Sequence, residues 1–492
     1  VVANSLTTAW SYNVSLNAFS NTLAFTSVDD VGNESAPTSV VIYYADPPPE
    51  VVSVGLPADG STGNTAIVTG FSVEFSEVLD VATATNPASF EKRGAGGDGV
   101  FGNGNDDMYA LAVDYAGGVV ADFTVTDGPL QPDLQRFTVF TNVEDTVGNH
   151  LASAYTRTFA AEAVVYFDLE GRSNDVPAGA TELVFTEDPA DLFLAGARGS
   201  IQSASDTDCW SFAALYNDQV IVAADHPGNA SGSSLRYSLC DGTGSALAPD
   251  LVTDGNGRGQ SPAVAIPSNG TYYVHVAGVD PFRDEYRFRM LRAVEPLWAE
   301  SEANDSVGAA TVVNLAADGI TNAVSAAGFV ADPASVDFFD LGTLTNESTV
   351  FLGARLPAGS TVQPVVGVYN SGGVLQAEVN AGDPNDAFAE VRITAEGTYH
   401  ARVSDAAGTG HLLDTYGLDV TVLPTSILIL PNLTVSEINL PTNTPLLSGQ
   451  SYTFSYVVEN GGALSTASGN WTDRVVLSEN AVYGDGDCLL YT

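Results

Sequence analysis

Short runs in which apolar and polar residues alternate fill most of this chain, and one ordered set of them occurs twice. In the first copy, Ser205 to Phe288, Asp206 and Asp208 lead into Trp210-Ser211-Phe212. A period of two puts Trp210 and Phe212 on one face and Ser211 on the other, the mark of a half-buried strand. Gly270-Thr271 then makes a turn, and Tyr272 to Val276 reads as another strand. About 120 residues later the order returns: Val336-Asp337-Phe338-Phe339, then Gly397 to Val403, then Tyr416 to Val420. Recurrence in fixed order predicts an array of modules. With 48 glycines and 24 prolines as punctuation and scarcely any helical periodicity, the expectation is an all-β chain, a tandem array of β-sandwich modules.

Charge sets the next limit. Sixteen basic residues stand against 60 acidic ones, a net charge of −44, and Lys92 is the one lysine. Phosphate recognition needs clustered cations, so a general nucleic-acid binder is excluded, and anionic membrane surfaces are excluded on the same ground. With 45% hydrophobic residues in alternating runs, packed cores are expected rather than disorder. The acidity then points to a salt-adapted surface together with binding of divalent cations. No apolar run approaches the ~20 residues needed to span a bilayer. The absence of an initiator Met and signal peptide is read as marking an internal piece of a longer secreted or cell-surface protein. Cys209 and Cys240 share one module, which leaves open a bridge or two small residues on strands, and Cys488 lacks a partner.

Five units are expected. Residues 1–47 carry strands at Trp10 to Leu16, Asn21 to Val28 and Ser39 to Tyr44, with a turn at Asp29-Asp30-Val31-Gly32-Asn33, and they resemble the C-terminal part of a bacterial Ig-like domain. After the stiff Asp46-Pro47-Pro48-Pro49 linker, residues 48–162 show Phe71 to Glu77 in strict alternation, then Leu79-Asp80, and a second Asp145-Thr146-Val147-Gly148-Asn149 turn. These features are similar to the Ig-like domain of bacterial surface-layer proteins. Residues 163–295 and 296–424 resemble the bacterial pre-peptidase C-terminal domain, a small jelly-roll-like sandwich of secreted proteins that commonly opens with Glu-x-Asn-Asp. The second copy has Glu302-Ala303-Asn304-Asp305, whereas the first has Arg172-Ser173 before Asn174-Asp175. Residues 425–492, with Ser448-Gly449-Gln450 and Trp471-Thr472-Asp473-Arg474-Val475, look like the N-terminal part of a cell-adhesion-related Ig-like domain found in bacteria.

A search for reacting groups yields none in a recognisable arrangement. The five histidines form no H-E-x-x-H site, and no G-x-S-x-G elbow occurs. His275 and His400 read as strand-surface residues, and the glycine-rich stretches lack a Walker lysine. The chain is therefore expected not to be an enzyme.

Calcium is the one sharp chemical expectation, as a structural cofactor. It takes six to eight oxygens, which closely spaced Asp and Asn in turns can supply. The densest such loop runs from Gly97 to Asp107 and offers Asp98, Asn103, Asn105, Asp106 and Asp107; the alternative is a polar hairpin whose side chains bond their own backbone. The pre-peptidase resemblance implies a second kind of site, where lead-in residues share an ion with the Asp before the aromatic strand. Carried over residue by residue, that gives Glu302, Asn304, Asp305, Asp332 and Asp337 in the second copy, and Asn174, Asp175, Asp206 and Asp208 in the first.

These readings converge on a non-catalytic stalk or adhesive spacer stiffened by calcium, whose partners are neighbouring modules of the same longer chain. Two alternatives stand beside it. The modules would serve as accessories of a secreted protease or other hydrolase whose catalytic domain lies outside this chain. Or they would bind a surface polysaccharide or a matrix protein through exposed aromatics, Trp298 and Trp471 first. No nucleic acid and no direct membrane insertion is expected of this segment.

Overall fold

The computed structural model describes residues 11–17, 19–44, 47–227, 235–278, 282–330, 335–380, 387–408, 410–424, 433–439, 453–460, 475–477 and 488–491. About 53% of the described residues are strand and 2% helix, so the fold class is all-β. Contacts divide it into two compact units, Val1–Thr181 and Glu182–Thr492.

In the first unit, Phe19–Phe25 pairs antiparallel with Thr38–Tyr44. Residues 11–17 adopt no regular structure, so the strand expected at Trp10 to Leu16 does not form there; Trp10 itself lies outside the described residues. The two D-x-x-G-N turns take one geometry. Asp29 Oδ1 accepts from the Val31 and Asn33 amides, and Asp145 Oδ1 from those of Val147 and Asn149. Gly32 and Gly148 follow at φ 91° and 92°, a left-handed conformation that costs glycine little.

A sandwich then spans residues 51–161. Gly70–Phe75, which the sequence marks by strict alternation, buries every second residue. It lies in a four-stranded sheet ordered Val51–Val54, Gly70–Phe75, Val120–Val125, Leu111–Asp114. The facing sheet has five strands and carries Phe90, Phe137 and Phe159. Phe71 stacks on Phe123 and meets Phe137 edge-on at 4.9 Å, so aromatic packing closes this core. Lys92 points into the same interior: it is fully buried, donates to Gln135 Oε1, and lies over the Tyr109 and Phe159 rings. Burial pushes its ammonium down to about 7, partly opposed by Asp133.

The second unit contains the repeated pattern as two sandwiches with the same strand order. The first has one sheet ordered Leu192–Ile201, Phe282–Ala293, Gln219–Asp225, Arg258–Gln260, and another ordered Thr207–Ala214, Gly270–Gly278, Leu235–Cys240, Leu251–Val252. The second repeats this as Thr321–Phe329, Thr415–Leu423, Thr349–Arg355, Phe388–Arg392 against Val336–Leu344, Gly397–Asp405, Pro364–Asn370, Leu375–Asn380. Each pair of sheets encloses its own apolar cluster, with Trp210, Phe212 and Phe288 in one and Phe339, Tyr399 and Tyr416 in the other. Further along, Leu433–Asn439 pairs with Ser455–Asn460, and Val475–Leu477 with Cys488–Tyr491.

One alternative left open is decided and one expectation is corrected. Cys209 and Cys240 lie on strands separated by Gly270–Gly278, where Cys209 faces His275 and Cys240 faces Tyr273. Strands two places apart stand about 10 Å from each other, beyond the ~7 Å a disulfide spans, so the bridge does not form. His400 is 4% exposed, on a central strand between two neighbours, rather than at the surface.

Candidate metal centre

Two sheets must be joined at the end of the second sandwich, and the lead-in segment does this. Leu297–Ala299 adds to the first sheet in parallel with Thr321–Phe329, and Thr311–Val312 adds to the other in parallel with Val336–Leu344. The chain between them crosses from sheet to sheet and carries Glu300, Glu302 and Asn304. Asp337, at the start of Val336–Leu344, faces the same end.

Oxygen atoms of Glu300, Glu302 and Asp337 lie within 4.8 Å of one another, the one such acidic group among the described residues. Glu300 is fully buried. Its Oε1 accepts from the Phe329 amide and from Gln260 Nε2, both at 2.6 Å, and its Oε2 from the Tyr416 hydroxyl at 3.0 Å. Gly328 makes room for this carboxylate, since a Cβ there would stand 2.2 Å from Glu300 Oε2. Glu302 is half-buried and its Oε2 accepts from the Asn304 amide at 3.2 Å. Asn304 is fully buried, with Nδ2 donating to Thr311 Oγ1 at 3.2 Å. Asp337 is also fully buried, and its Oδ1 accepts from Ser335 at 3.2 Å. Asn304 Oδ1 and Asp337 Oδ2 are buried and accept no hydrogen bond from the protein.

The electrostatics follow from this crowding. Burial, and then the Glu302 charge, push the Glu300 carboxyl up to about 7. Burial, followed by Glu300, holds Asp337 well above the usual carboxylate range. Three carboxyls this close, out of water, cannot all carry charge unless protons or a cation compensate.

A cation suits the donor set. Calcium binds oxygens at about 2.3–2.6 Å, so ligands on opposite sides of one ion stand about 4.8 Å apart. Glu300, Glu302, Asn304 and Asp337 are hard oxygen donors of the kind it takes, and the two unpartnered oxygens are acceptors that only a cation or another donor would satisfy.

Among the expected residues, Glu302 and Asp337 converge here and Asn304 adjoins Glu302. Asp305 is exposed and instead accepts from the Val336 amide at 3.2 Å. Asp332 lies outside the described residues. Glu300 is the member that sequence reasoning missed. It follows directly on the strand Leu297–Ala299, two positions before the Glu302 lead-in, where no motif marks it.

In the other copy, Asp206 accepts from the Gln202 amide at 2.6 Å, closing a turn. Asp208 is buried and accepts from the Tyr286 hydroxyl at 2.6 Å, which in turn accepts from Trp210 Nε1 at 3.1 Å. Asn174 is buried and Asp175 exposed, in the first unit. The 97–107 loop binds itself. Asp98 accepts from the Val100 amide and Asn103 Nδ2, Asn103 from the Asn105 amide, and Asn105 donates to the Gly96 carbonyl. Asp106 accepts from the Gly102 amide and Arg93, and Asp107 meets Arg172 at 3.6 Å. Backbone donors hold Asp98 and Asp106 below the usual carboxylate range, as in a polar hairpin whose side chains bond their own backbone.

No family model and no curated protein matches the chain. Solved structures resemble it only loosely. The N-terminal part of the bacterial S-layer protein SbsC matches 30% of this chain and 40% of its own length at 18% identity and a TM-score of 0.17. Domains 1–6 of SbsC match 90% of this chain and 66% of that one, at 14% identity and 0.17. The tandem CBM51 modules of a family 98 glycoside hydrolase from Streptococcus pneumoniae match 47% and 84%, at 10% identity and 0.17. The chain spans less than half of the first of these. Likeness at this level carries no argument about function, and the fold class rests on the sheets themselves.

Proposed function

We propose that this chain is a non-catalytic region of a secreted or surface protein, a spacer of serial β-sandwiches stiffened by calcium. The observation that carries the reading is the convergence of Glu300, Glu302 and Asp337 oxygens within 4.8 Å beside buried acceptors that lack protein donors. The net charge of −44 favours the same reading, because an acidic surface concentrates divalent cations around the site. Extracellular modules bind calcium at roughly 10⁻⁴–10⁻³ M. At ten times such a Kd the ion stabilises its module by about 1.4 kcal/mol. Calorimetric titration of calcium into the chelator-treated chain tests this. One class of site in that range, lost in Glu302→Gln, supports the reading; heat unchanged by the substitution rejects the assigned residues.

Carbohydrate binding is a second reading, favoured by one feature. Trp298 is half-buried and lines a cleft of about 670 Å³ with Asn217, Glu295, Asn314 and Asp318, an aromatic surface bordered by hydrogen-bonding groups. Titration with chitohexaose and maltohexaose, repeated on Trp298→Ala, checks it; absence of binding to either ends it. Trp471 lies outside the described residues.

A further inference from the structure

The acidic cluster belongs to one sandwich, yet one of its hydrogen-bond donors comes from the other. Gln260 ends the strand Arg258–Gln260 of the first sandwich, and its Nε2 donates to Glu300 Oε1 at 2.6 Å. Its own Oε1 is buried with no hydrogen bond from the protein, so the amide is held from one side only. The seam around it is well tied. Gln219 Oε1 accepts from the Ala299 amide at 2.8 Å, and Arg289, 3% exposed, donates to the Leu413 carbonyl at 3.2 Å. Arg355 donates to the Ala190 carbonyl at 2.8 Å, and Asp188 accepts from the Ala358 amide at 2.6 Å. A cleft of about 430 Å³, lined by Gln219 and Ala263 on one side and Trp298, Glu302 and Thr311 on the other, borders Glu302.

We propose that Gln260 is a positioning residue for the cation site of the next sandwich, so that cation occupancy and docking of the two sandwiches are thermodynamically linked. This rests on the calcium reading above. A donor on one carboxylate oxygen fixes the plane of the group and so aims the other oxygen. With the Phe329 amide and Gln260 both on Oε1, Glu300 keeps Oε2 for the ion, shared with Tyr416. Linkage makes the effect reciprocal: whatever Gln260 contributes to ion affinity, the ion contributes to holding Gln260 and its strand against the seam. The groups facing Glu300 are Glu302, Asp337, Tyr416, the Phe329 amide and Gln260.

Gln260→Leu keeps volume and removes the donor. In the full chain, calorimetric titration at pH 7 is expected to show calcium bound about tenfold more weakly, the size of one hydrogen bond to a charged group. Hydrogen exchange on the unsubstituted chain gives an independent reading, in which calcium should slow amide exchange at residues 258–260 as well as at 300–304. Protection confined to the second sandwich, or equal affinity in Gln260→Leu, overturns the linkage while leaving the calcium site standing. No calcium binding in either protein removes both.

Discussion

The two sandwiches of the second unit place a buried Asp and a buried Tyr at matching strand positions and finish them differently. In the first, Trp210 donates to the Tyr286 hydroxyl and Tyr286 to Asp208, so the buried acid ends a chain of donors. In the second, Phe339 stands where Trp210 does and has no proton to give. Tyr416 is shared between Asp337 and Glu300, donating to Glu300 Oε2 at 3.0 Å, and Asp337 Oδ2 has no donor of its own in good geometry. In sequence Glu302 corresponds to Arg172, which lies in the first unit and bonds the Met108 carbonyl and Asp127 there. A single framework thus closes into a satisfied polar chain or opens into an acceptor-rich pocket, according to a few side chains. The framework is set by apolar alternation, and the chemistry by what caps its end.

That contrast can be broken most forcibly at Trp210. Trp210→Phe removes the donor and opens a small cavity, and should cost the first sandwich about 2–3 kcal/mol. Loss of protection at residues 207–214 in denaturant-dependent hydrogen exchange would register it, and unchanged protection would mean the donor chain contributes little. The effect of Glu300→Gln should be smaller and should split by condition. Without calcium the second sandwich should melt higher, because a buried charge is gone; with calcium it should forfeit the gain of about 1.4 kcal/mol.

Acidity sharpens the comparison further, since two buried groups push stability in opposite directions. Glu300 has its folded pKa raised above the unfolded value near 4.3, to about 7. In chelator, its contribution is therefore fully present below about pH 4.3 and is lost as pH rises through 7; calcium should flatten that decline. Lys92 has its folded pKa lowered to about 7 from an unfolded value near 10.4. The unfolded chain binds more protons between those values, so the 51–161 sandwich should gain stability as pH rises from 7 to 10. Melts across that range, compared with Lys92→Met, would check the sign. The smallest change is expected there: at pH 7 Lys92→Met should be neutral to mildly stabilising, as a buried ionisable group gives way to an apolar one.

Much of this was legible in the residues. Alternation at Gly70–Phe75 and around Trp210 announced strands, and Glu302, Asn304 and Asp337 announced an oxygen-rich corner. Glu300 escaped because it lies two positions before the Glu-x-Asn-Asp motif and its approach to Asp337 depends on how the lead-in folds. The Cys209–Cys240 separation could not be read, because pairing order is a long-range property and an intervening strand comes later in sequence than either cysteine. The self-bonding of the 97–107 loop was open at the outset, since Asx side chains serve a turn as readily as an ion. Gln260 was invisible, as its role depends on how one sandwich meets the next.

The most direct test of the central claim is a thermal melt of the whole chain in calcium, in magnesium and in chelator at matched ionic strength. A rise of several degrees in calcium alone, absent in Glu300→Gln, is the predicted result. Identical melting in all three solutions would contradict the account, leaving the cluster as a proton-sharing carboxyl network and the sandwiches as plain spacers.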